Sequence, residues 1–309
     1  MGETVASPSR KEVNNINFMN KRVTAMLEVV LAFVLVHVTY RSLKYFTPIG
    51  RWEGETGLNF TPGSVMILVT VLVLLLCGRS FEAYGLTWKR WRQNLNIGLL
   101  WTLLLVVLAG VGRMFTHAHF DPSVPRDDTA SRVAGAVFGL AATILLLGLM
   151  KGRATYLDRV PLATSVVLLA ALLSLPLALA GYFHRPVGRE MLEVAWLFVC
   201  AGFGEEMFFR GYIQSRIDET FGRPIHVLGL DFGPGLAVSS LLFGFLHVLS
   251  PVDYFHGHYQ FAWWYGVENC FVGLFYGCLR EKTDSVVAGG VTHGLVNVLA
   301  RVSVIISRS

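Results

Sequence analysis

Residues 201–212 read AGFGEEMFFRGY and carry two adjacent glutamates, Glu205 and Glu206, together with Arg210. The flanking residues are apolar enough for the interior of a membrane. Ionisable side chains at that depth cost several kcal/mol unless they have partners, and they mark functional sites by default. The stretch therefore predicts a membrane-embedded fold with a polar site inside it.

The composition of the whole chain agrees with a membrane setting. Of its 309 residues, 53% are apolar and only 15% are charged, whereas a soluble domain carries about 25% charged residues. A helix needs about 20 mostly apolar residues to cross a bilayer. We predict an all-α polytopic transmembrane helical bundle with eight or nine spans, of which the second and seventh are the shortest. The candidate spans are residues 22–42, 63–78, 96–112, 132–150, 160–182, 190–215, 236–250, 261–280 and 284–306.

Three regions follow from the distribution of polar residues. Residues 1–22 form a polar N-terminal segment, residues 23–183 a transmembrane scaffold, and residues 184–309 a transmembrane core in which we expect any chemistry to lie. Within the first span, Glu28 and His37 are nine residues apart, and we expect them to pair with another helix. The fourth and fifth spans are almost purely aliphatic, which indicates scaffold rather than site.

The net charge of +5 comes from basic residues spread singly over loops. The stretch 81–92 interleaves them with Trp and Tyr, a composition that suits the lipid headgroup layer. Membrane lipid is therefore the predicted partner, and nucleic acid is not. A hydrophilic loop carries His117 and His119, and two histidines in a solvated loop rarely bind a metal specifically.

The two central glutamates differ in their local partners. Glu206 and Arg210 are four residues apart with the acid first, which favours a helical ion pair. Glu205 lies about 100° around the helix and has no such partner within its own helix. Small residues in this segment allow a neighbouring helix to come close. They are Gly202, Gly204 and Gly211.

Two later spans add polar residues at four-residue spacing. Phe243 precedes His247 in the seventh span, and His293 precedes Asn297 in the ninth. Polar groups at membrane depth must face a bundle interior or a cavity, and the lowest-cost arrangement has Glu205 and these three polar residues facing one cavity. Taken singly, a buried histidine bonded to a carbonyl or an interhelical asparagine is an ordinary structural feature. Their coincidence favours a function.

These residues resemble a known family. The motifs that carry the resemblance are Glu205-Glu206-x-x-x-Arg210, Phe243-x-x-x-His247 and His293-x-x-x-Asn297. They are similar to the three signatures of the CAAX prenyl protease type II family, also called the CPBP or abortive-infection-like family of glutamate-type intramembrane proteases. The resemblance covers roughly residues 190–300.

The resemblance implies an intramembrane endopeptidase and a role for each motif residue. Glu205 matches the general base, and His247 matches the histidine that helps it activate a water. His293 and Asn297 match residues that orient the site and stabilise the oxyanion. The supporting residues are Glu206, Arg210 and Phe243. The implied substrate is a peptide bond near the C-terminus of a lipidated or membrane-tethered protein.

Several alternatives stay open at this point. Glu205, His247 and His293 are a possible zinc set with an open fourth position, although no His-Glu-x-x-His helix is present and a mechanism without cofactor is favoured. A catalytically inactive scaffold or bacteriocin-immunity factor would keep the fold, and a proton-coupled transporter would use the same ionisable groups. The expected location is the plasma membrane in a prokaryote or the endoplasmic reticulum membrane in a eukaryote. The oligomeric state is left open.

Two further groups have no role in the motifs. Glu268 and Asn269 are intramembrane polar residues of the eighth span that can line the cavity. Asp253, His256 and His258 belong to the loop before that span. That loop is a candidate metal site or entry rim, and a solvated loop is the favoured interpretation.

Overall fold

The computed structural model describes residues 10–115, 129–150 and 160–307, and most of these residues are helical. The loop with His117 and His119 lies outside the described residues. The elements in chain order are α1 (Arg10–Phe46), α2 (Pro48–Thr56), α3 (Phe60–Leu76), α4 (Trp91–Phe115), α5 (Thr129–Leu149), α6 (Leu162–Tyr182), α7 (Val187–Ala195), the π-helical segments π1 (Trp196–Gly204) and π2 (Met207–Gln214), α8 (Ser215–Phe221), β1 (Ile225–Val227), β2 (Leu230–Phe232), α9 (Pro234–Val248), α10 (Trp263–Thr283) and α11 (Val286–Ser307).

The helices form an all-α membrane bundle. Within the described ranges, five helices are long and apolar enough to cross a membrane by length and composition, namely α1, α4, α5, α6 and α11. Two shorter apolar helices are α3 and α9, and these correspond to the second and seventh predicted spans. The bundle is confirmed in this form, whereas the count of eight or nine spans stays a prediction.

Two segments differ from the sequence-based expectation. Helix α1 begins at Arg10, inside the predicted polar segment 1–22. Residues 216–235, between the sixth and seventh predicted spans, contain an antiparallel hairpin in which Val227 pairs with Leu230. The two turn residues, Leu228 and Gly229, both have positive φ, as a tight two-residue hairpin turn requires.

Close helix contacts surround the central stretch. A Cβ atom added at Gly202 would lie 2.5 Å from the Cα atom of Gly294 in α11, and one at Gly204 would lie 2.9 Å from the carbonyl oxygen of Gly63 in α3. A side chain at either glycine would separate these backbones. The prediction that these two glycines admit neighbouring helices is therefore confirmed.

The N-terminal scaffold is tied to the core by the two ionisable residues of α1. Glu28 forms ion pairs with Arg79 and, at 2.9 Å, with Arg216 of α8. His37 lies 3.1 Å from the hydroxyl of Tyr254, in the loop that follows α9. Glu28 thus pairs with another helix, as expected, whereas the partner of His37 lies in a loop.

Candidate active site

The ion pair expected from the spacing of Glu206 and Arg210 is present at the centre of the bundle. Arg210 Nη1 lies 3.2 Å from Glu206 Oε1, and the two side chains are 0% and 1% exposed, respectively. Arg210 Nη2 also donates to the carbonyl of Gly273 at 3.1 Å. Its guanidinium carbon lies 4.4 Å from the ring centroid of Phe243. Arg210 therefore has an anionic, a carbonyl and an aromatic partner in a fully buried setting.

Glu206 also binds His293, an interaction that sequence spacing does not reveal. His293 Nδ1 lies 3.1 Å from Glu206 Oε1. A carboxylate can only accept, so Nδ1 carries the hydrogen of this bond. The ring is further held by Tyr276, which stacks on it at a centroid distance of 4.7 Å and an interplanar angle of 16°. His293 Nε2 is consequently the nitrogen left for chemistry.

Glu205 is in a different position from its neighbour. Its side chain is 17% exposed, and its Oε2 lies 3.9 Å from His293 Nε2. That separation is too long for a hydrogen bond. Among the described residues, none donates a hydrogen bond to Glu205 within the usual distance. The carboxylate therefore stays available to a bound water or substrate.

His247 and His293 both have ring contacts with Phe243. The Phe243 ring centroid is 4.6 Å from that of His247 and 6.1 Å from that of His293. His247 Nδ1 lies 2.8 Å from the carbonyl oxygen of Phe243, so it is the donor and Nε2 is left as an acceptor. The described contacts of Glu205 include His293 and not His247, so the expected facing of Glu205 and His247 stays a prediction.

Asn297 lies one turn beyond His293, and both line a cavity of about 560 Å³. The cavity runs between α4, α5, α10 and α11. Its wall is mainly apolar and includes Leu105, Phe138, Val272, Val296, Leu299 and Ile306. Glu268 and Asn269, which have no role in the motifs, also lie on this wall. The polar groups near His293 thus border an apolar chamber.

Arg132 is the clearest residue that sequence reasoning missed. It begins the fourth predicted span, which we expected to be scaffold, yet it lies on the cavity wall. Its Nη1 donates to Glu268 Oε2 at 2.8 Å, and its guanidinium carbon lies 4.7 Å from the ring centroid of Tyr265. The available signal was the charge itself, because an arginine at the edge of an apolar span needs a partner.

The loop before α10 has the character of a solvated surface. His256 Nδ1 lies 2.7 Å from Asp253 Oδ2, and both side chains are exposed. The hydrogen bond from His256 holds the pKa of the Asp253 carboxyl below its ordinary value. Asp253 and His258 are joined by backbone hydrogen bonds of 2.7 and 2.9 Å.

No group of three or more His, Cys, Asp or Glu side chains within the described ranges is arranged to hold a metal ion. The zinc set of Glu205, His247 and His293 therefore has no preformed geometry in the described structure. His247 also has one ring nitrogen committed to a backbone carbonyl. The metal requirement stays a question for experiment.

The arrangement suits acid–base chemistry on a carbonyl group. An accessible carboxylate can remove a proton from water, and an imidazole with a free acceptor nitrogen can assist it. An amide N–H group next to an apolar chamber can stabilise negative charge on oxygen. These are the requirements for hydrolysis of an acyl bond.

Of three comparisons with known proteins, the one with family models agrees with this chemistry. No curated protein and no solved structure matches the chain. The family model described as type II CAAX prenyl endopeptidase Rce1-like matches residues 187–299, a range that contains all seven motif residues. Over residues 187–299, this integral membrane protein is thus similar to the type II CAAX prenyl endopeptidase Rce1-like family.

Proposed function

We propose that the protein is a glutamate-type intramembrane endopeptidase that hydrolyses a peptide bond near the C-terminus of a lipidated or membrane-tethered protein. The observation that carries the proposal is that the adjacent residues Glu205 and Glu206 differ in their bonding partners and in their exposure. Glu206 is held by Arg210 and His293, whereas Glu205 is accessible and lies 3.9 Å from His293 Nε2. One carboxylate thus supports the site, and the other is available for reaction.

In the proposed reaction, Glu205 removes a proton from water, and the resulting hydroxide attacks the carbonyl carbon of the scissile bond. His247 assists by accepting a hydrogen bond from that water at Nε2. Asn297 stabilises the oxyanion by donating from its side-chain amide, and His293, whose Nδ1–H is held by Glu206, orients the site. The tetrahedral intermediate then collapses, the C–N bond breaks, and the proton held by Glu205 passes to the departing amine.

The shape of the cavity supports a lipidated substrate. Its wall follows α11 from His293 to Ile306, thirteen residues that correspond to about 20 Å of helix. An extended isoprenoid or acyl chain has a similar length and would bury its apolar surface there. The family description names prenyl endopeptidases, and prenylated proteins are therefore the first substrates to test.

The proposed setting is a multi-pass position in the plasma membrane of a prokaryote or the endoplasmic reticulum membrane of a eukaryote. The partners are membrane lipid and a membrane-associated protein substrate. No cofactor takes part in the proposed reaction, and nucleic acid has no role.

The test is a comparison of membrane-protein C-termini in cells that produce the wild-type protein or Glu205→Gln. Wild-type cells should contain shortened C-termini on a defined set of lipidated proteins, and these should be full length in the variant cells. A matched variant, Glu190→Gln, alters a buried ion pair with Arg301, and neither residue lines the cavity; this variant should retain the shortened products. Identical C-termini in wild-type and Glu205→Gln cells would favour an inactive scaffold or a transporter.

A further inference from the structure

A buried carboxyl pair, distinct from the two central glutamates, joins α8 to the last turn of α10. Asp218 of α8 and Glu281 of α10 have side chains that are only 2% and 1% exposed, respectively. Both residues lie just beyond the ends of the predicted spans 190–215 and 261–280. They are hydrogen-bonded to each other, although two ionised carboxylates can only accept hydrogen bonds. The pair therefore holds a proton between its oxygen atoms.

The other contacts of the pair indicate which oxygen atoms share that proton. Asp218 Oδ1 accepts from the backbone N–H of Gly235 at 2.8 Å, and Glu281 Oε1 accepts from Gln214 Nε2 at 2.6 Å. The remaining oxygens, Asp218 Oδ2 and Glu281 Oε2, are buried and have no donor placed for a hydrogen bond among the described residues. A proton on one of these two atoms gives each of them a hydrogen-bond partner.

Arg223, in the segment that follows α8, is an ion-pair partner of both carboxyl groups. Its Nε lies 3.0 Å from Glu281 Oε2 and 3.7 Å from Asp218 Oδ2. The Arg223 side chain is 36% exposed, so water weakens its interaction with the buried pair. A partly exposed guanidinium can balance one carboxylate but not two. The contacts of Arg223 therefore also favour a retained proton.

The other groups that face the pair do not bond its two unpartnered oxygens. Arg280 is a second cation within electrostatic range of both carboxyl groups, but its Nη2 donates to Ser215 Oγ at 3.4 Å. Its Nη1 lies 3.9 Å from the exposed carboxylate of Asp284. The remaining facing groups of π2, α9 and α10 are uncharged, namely the Gln214 amide, the Gly235 N–H and the Cys278 thiol.

Burial is the dominant influence on both carboxyl groups. It raises the pKa of Glu281 to about 7 and the pKa of Asp218 above its ordinary value, despite the nearby arginines. The cause is the loss of solvation that a charge suffers when it leaves water. The ordinary pKa of Glu281 is 4.5, so its contribution to stability is complete below about pH 4.5 and is lost as the pH rises to about 7.

The pair is in direct contact with the helix that carries His247. Asp218 Oδ1 binds the N–H of Gly235 at the start of α9, and His247 lies in the last turn of that helix. A carboxylate at a helix N-terminus is also favoured by the helix dipole. A Cβ atom added at Gly235 would lie only 2.5 Å from Asp218 Oδ1, which shows how closely the two segments pack. A displacement of Asp218 would therefore act on α9 directly.

We propose that Asp218 and Glu281 form a proton-dependent latch that fixes α8, the start of α9 and the end of α10 while the pair holds its proton. When the pH rises, the shared proton passes to water, and two adjacent buried carboxylates remain with only Arg223 in direct contact. Their repulsion loosens the junction of the three helices. The latch itself does not depend on the proposed function, whereas its consequence, slower cleavage when α9 loosens, rests on that function.

The test is thermal unfolding of the purified full-length protein in detergent between pH 5 and pH 8.5, for wild type and Glu281→Gln. The variant side chain keeps an acceptor for Gln214 and presents an NH2 donor to Asp218 at every pH. The unfolding temperature of Glu281→Gln relative to wild type should therefore rise by about 5 °C between pH 5 and pH 7.5 and then stay level. A difference that does not change over this range would overturn the latch.

Two further variants provide a second test and a control. Asp218→Asn keeps an acceptor for Gly235 and gains a donor for Glu281, so it should show the same relative rise. It decides the question if Glu281→Gln fails to fold. Glu219→Gln changes a carboxylate of the same helix whose side chain is 54% exposed, and it should follow the pH dependence of wild type. A relative rise of the same size in Glu219→Gln would contradict the assignment to the buried pair.

Hydrogen exchange and cleavage report on α9 separately. After correction for intrinsic rates, the amides of residues 236–240 should exchange about 10-fold faster at pH 8 than at pH 6 in wild type, and equally at both in Glu281→Gln. Equal exchange at both pH values in wild type would contradict the latch. The kcat of Glu281→Gln relative to wild type, measured with a farnesylated peptide, should rise about 3- to 10-fold from pH 6 to pH 8. Failure of wild-type protein to cleave any peptide would contradict the proposed function, and unfolding and exchange would still decide the latch.

Discussion

Replacement of Glu206 by glutamine tests the buried pair that holds the centre of the site. The change keeps the size of the side chain and an acceptor oxygen for His293, but it removes the charge opposite Arg210. Arg210 is 0% exposed, so solvent cannot take over that role. Removal of one partner of a buried ion pair costs about 3–5 kcal/mol. The Gly273 carbonyl and the Phe243 ring still stabilise the cation, which places the expected loss near 3 kcal/mol.

The assay is denaturant titration of the purified protein in mixed detergent micelles, with peptide cleavage measured on the folded fraction. Cleavage should fall about 10- to 100-fold, because His293 loses the charge that fixes its ring. Glu190→Gln is the matched control, since Glu190 is 3% exposed and paired with Arg301 at 2.6 Å but does not contact His293. It should be destabilised and remain active. A change below about 1 kcal/mol in Glu206→Gln would refute the structural role of the pair.

Three other changes have defined outcomes. Gly202→Ala places a methyl group 2.5 Å from the Cα atom of Gly294, so the free energy of unfolding should fall by about 1–3 kcal/mol. The control is Gly188→Ala, where the added methyl group has no neighbour within 4 Å. It should be neutral or stabilising in the same titration. Tyr276→Phe keeps the ring stacked on His293 and should retain most of the cleavage rate, whereas Tyr276→Leu should lower kcat. Equal cleavage rates in the two variants would argue against positioning of His293 by the Tyr276 ring. Dialysis against a chelator should leave cleavage unchanged, and loss of cleavage that zinc restores would establish the metal alternative.

The features predicted correctly from sequence are those that short-range chemistry determines. The positions of the helices follow from apolar runs of sufficient length, and the Glu206–Arg210 pair follows from a spacing of four residues. The glycines at 202 and 204 predict close backbones because a missing side chain has the same consequence in any bundle. Each of these inferences needs only one segment of chain.

The features that sequence reasoning missed depend on which helices become neighbours. The partners Arg132 and Glu268 are 136 residues apart, and Glu206 and His293 are 87 apart. No local spacing connects such pairs. The contacts of Phe243 with both histidines likewise join residues of different helices, α9 and α11.

The local geometry of the central helix was also outside the reach of sequence patterns. The segments Trp196–Gly204 and Met207–Gln214 are π-helical and flank the two glutamates. A uniformly apolar run has no periodicity that separates a π-helix from an α-helix. π-Helical segments are frequent at functional sites, and here they lie on both sides of Glu205 and Glu206.

The most direct test of the central claim is cleavage of a farnesylated peptide by purified Glu205→Gln, measured beside wild-type protein with the unfolding titration of both. Glu205 is accessible and accepts no hydrogen bond from the described residues, so the free energy of unfolding should stay within about 1 kcal/mol of wild type. The cleavage rate should fall about 10²- to 10⁴-fold, as expected for loss of a general base. A well-folded Glu205→Gln protein that cleaves at the wild-type rate would contradict the account.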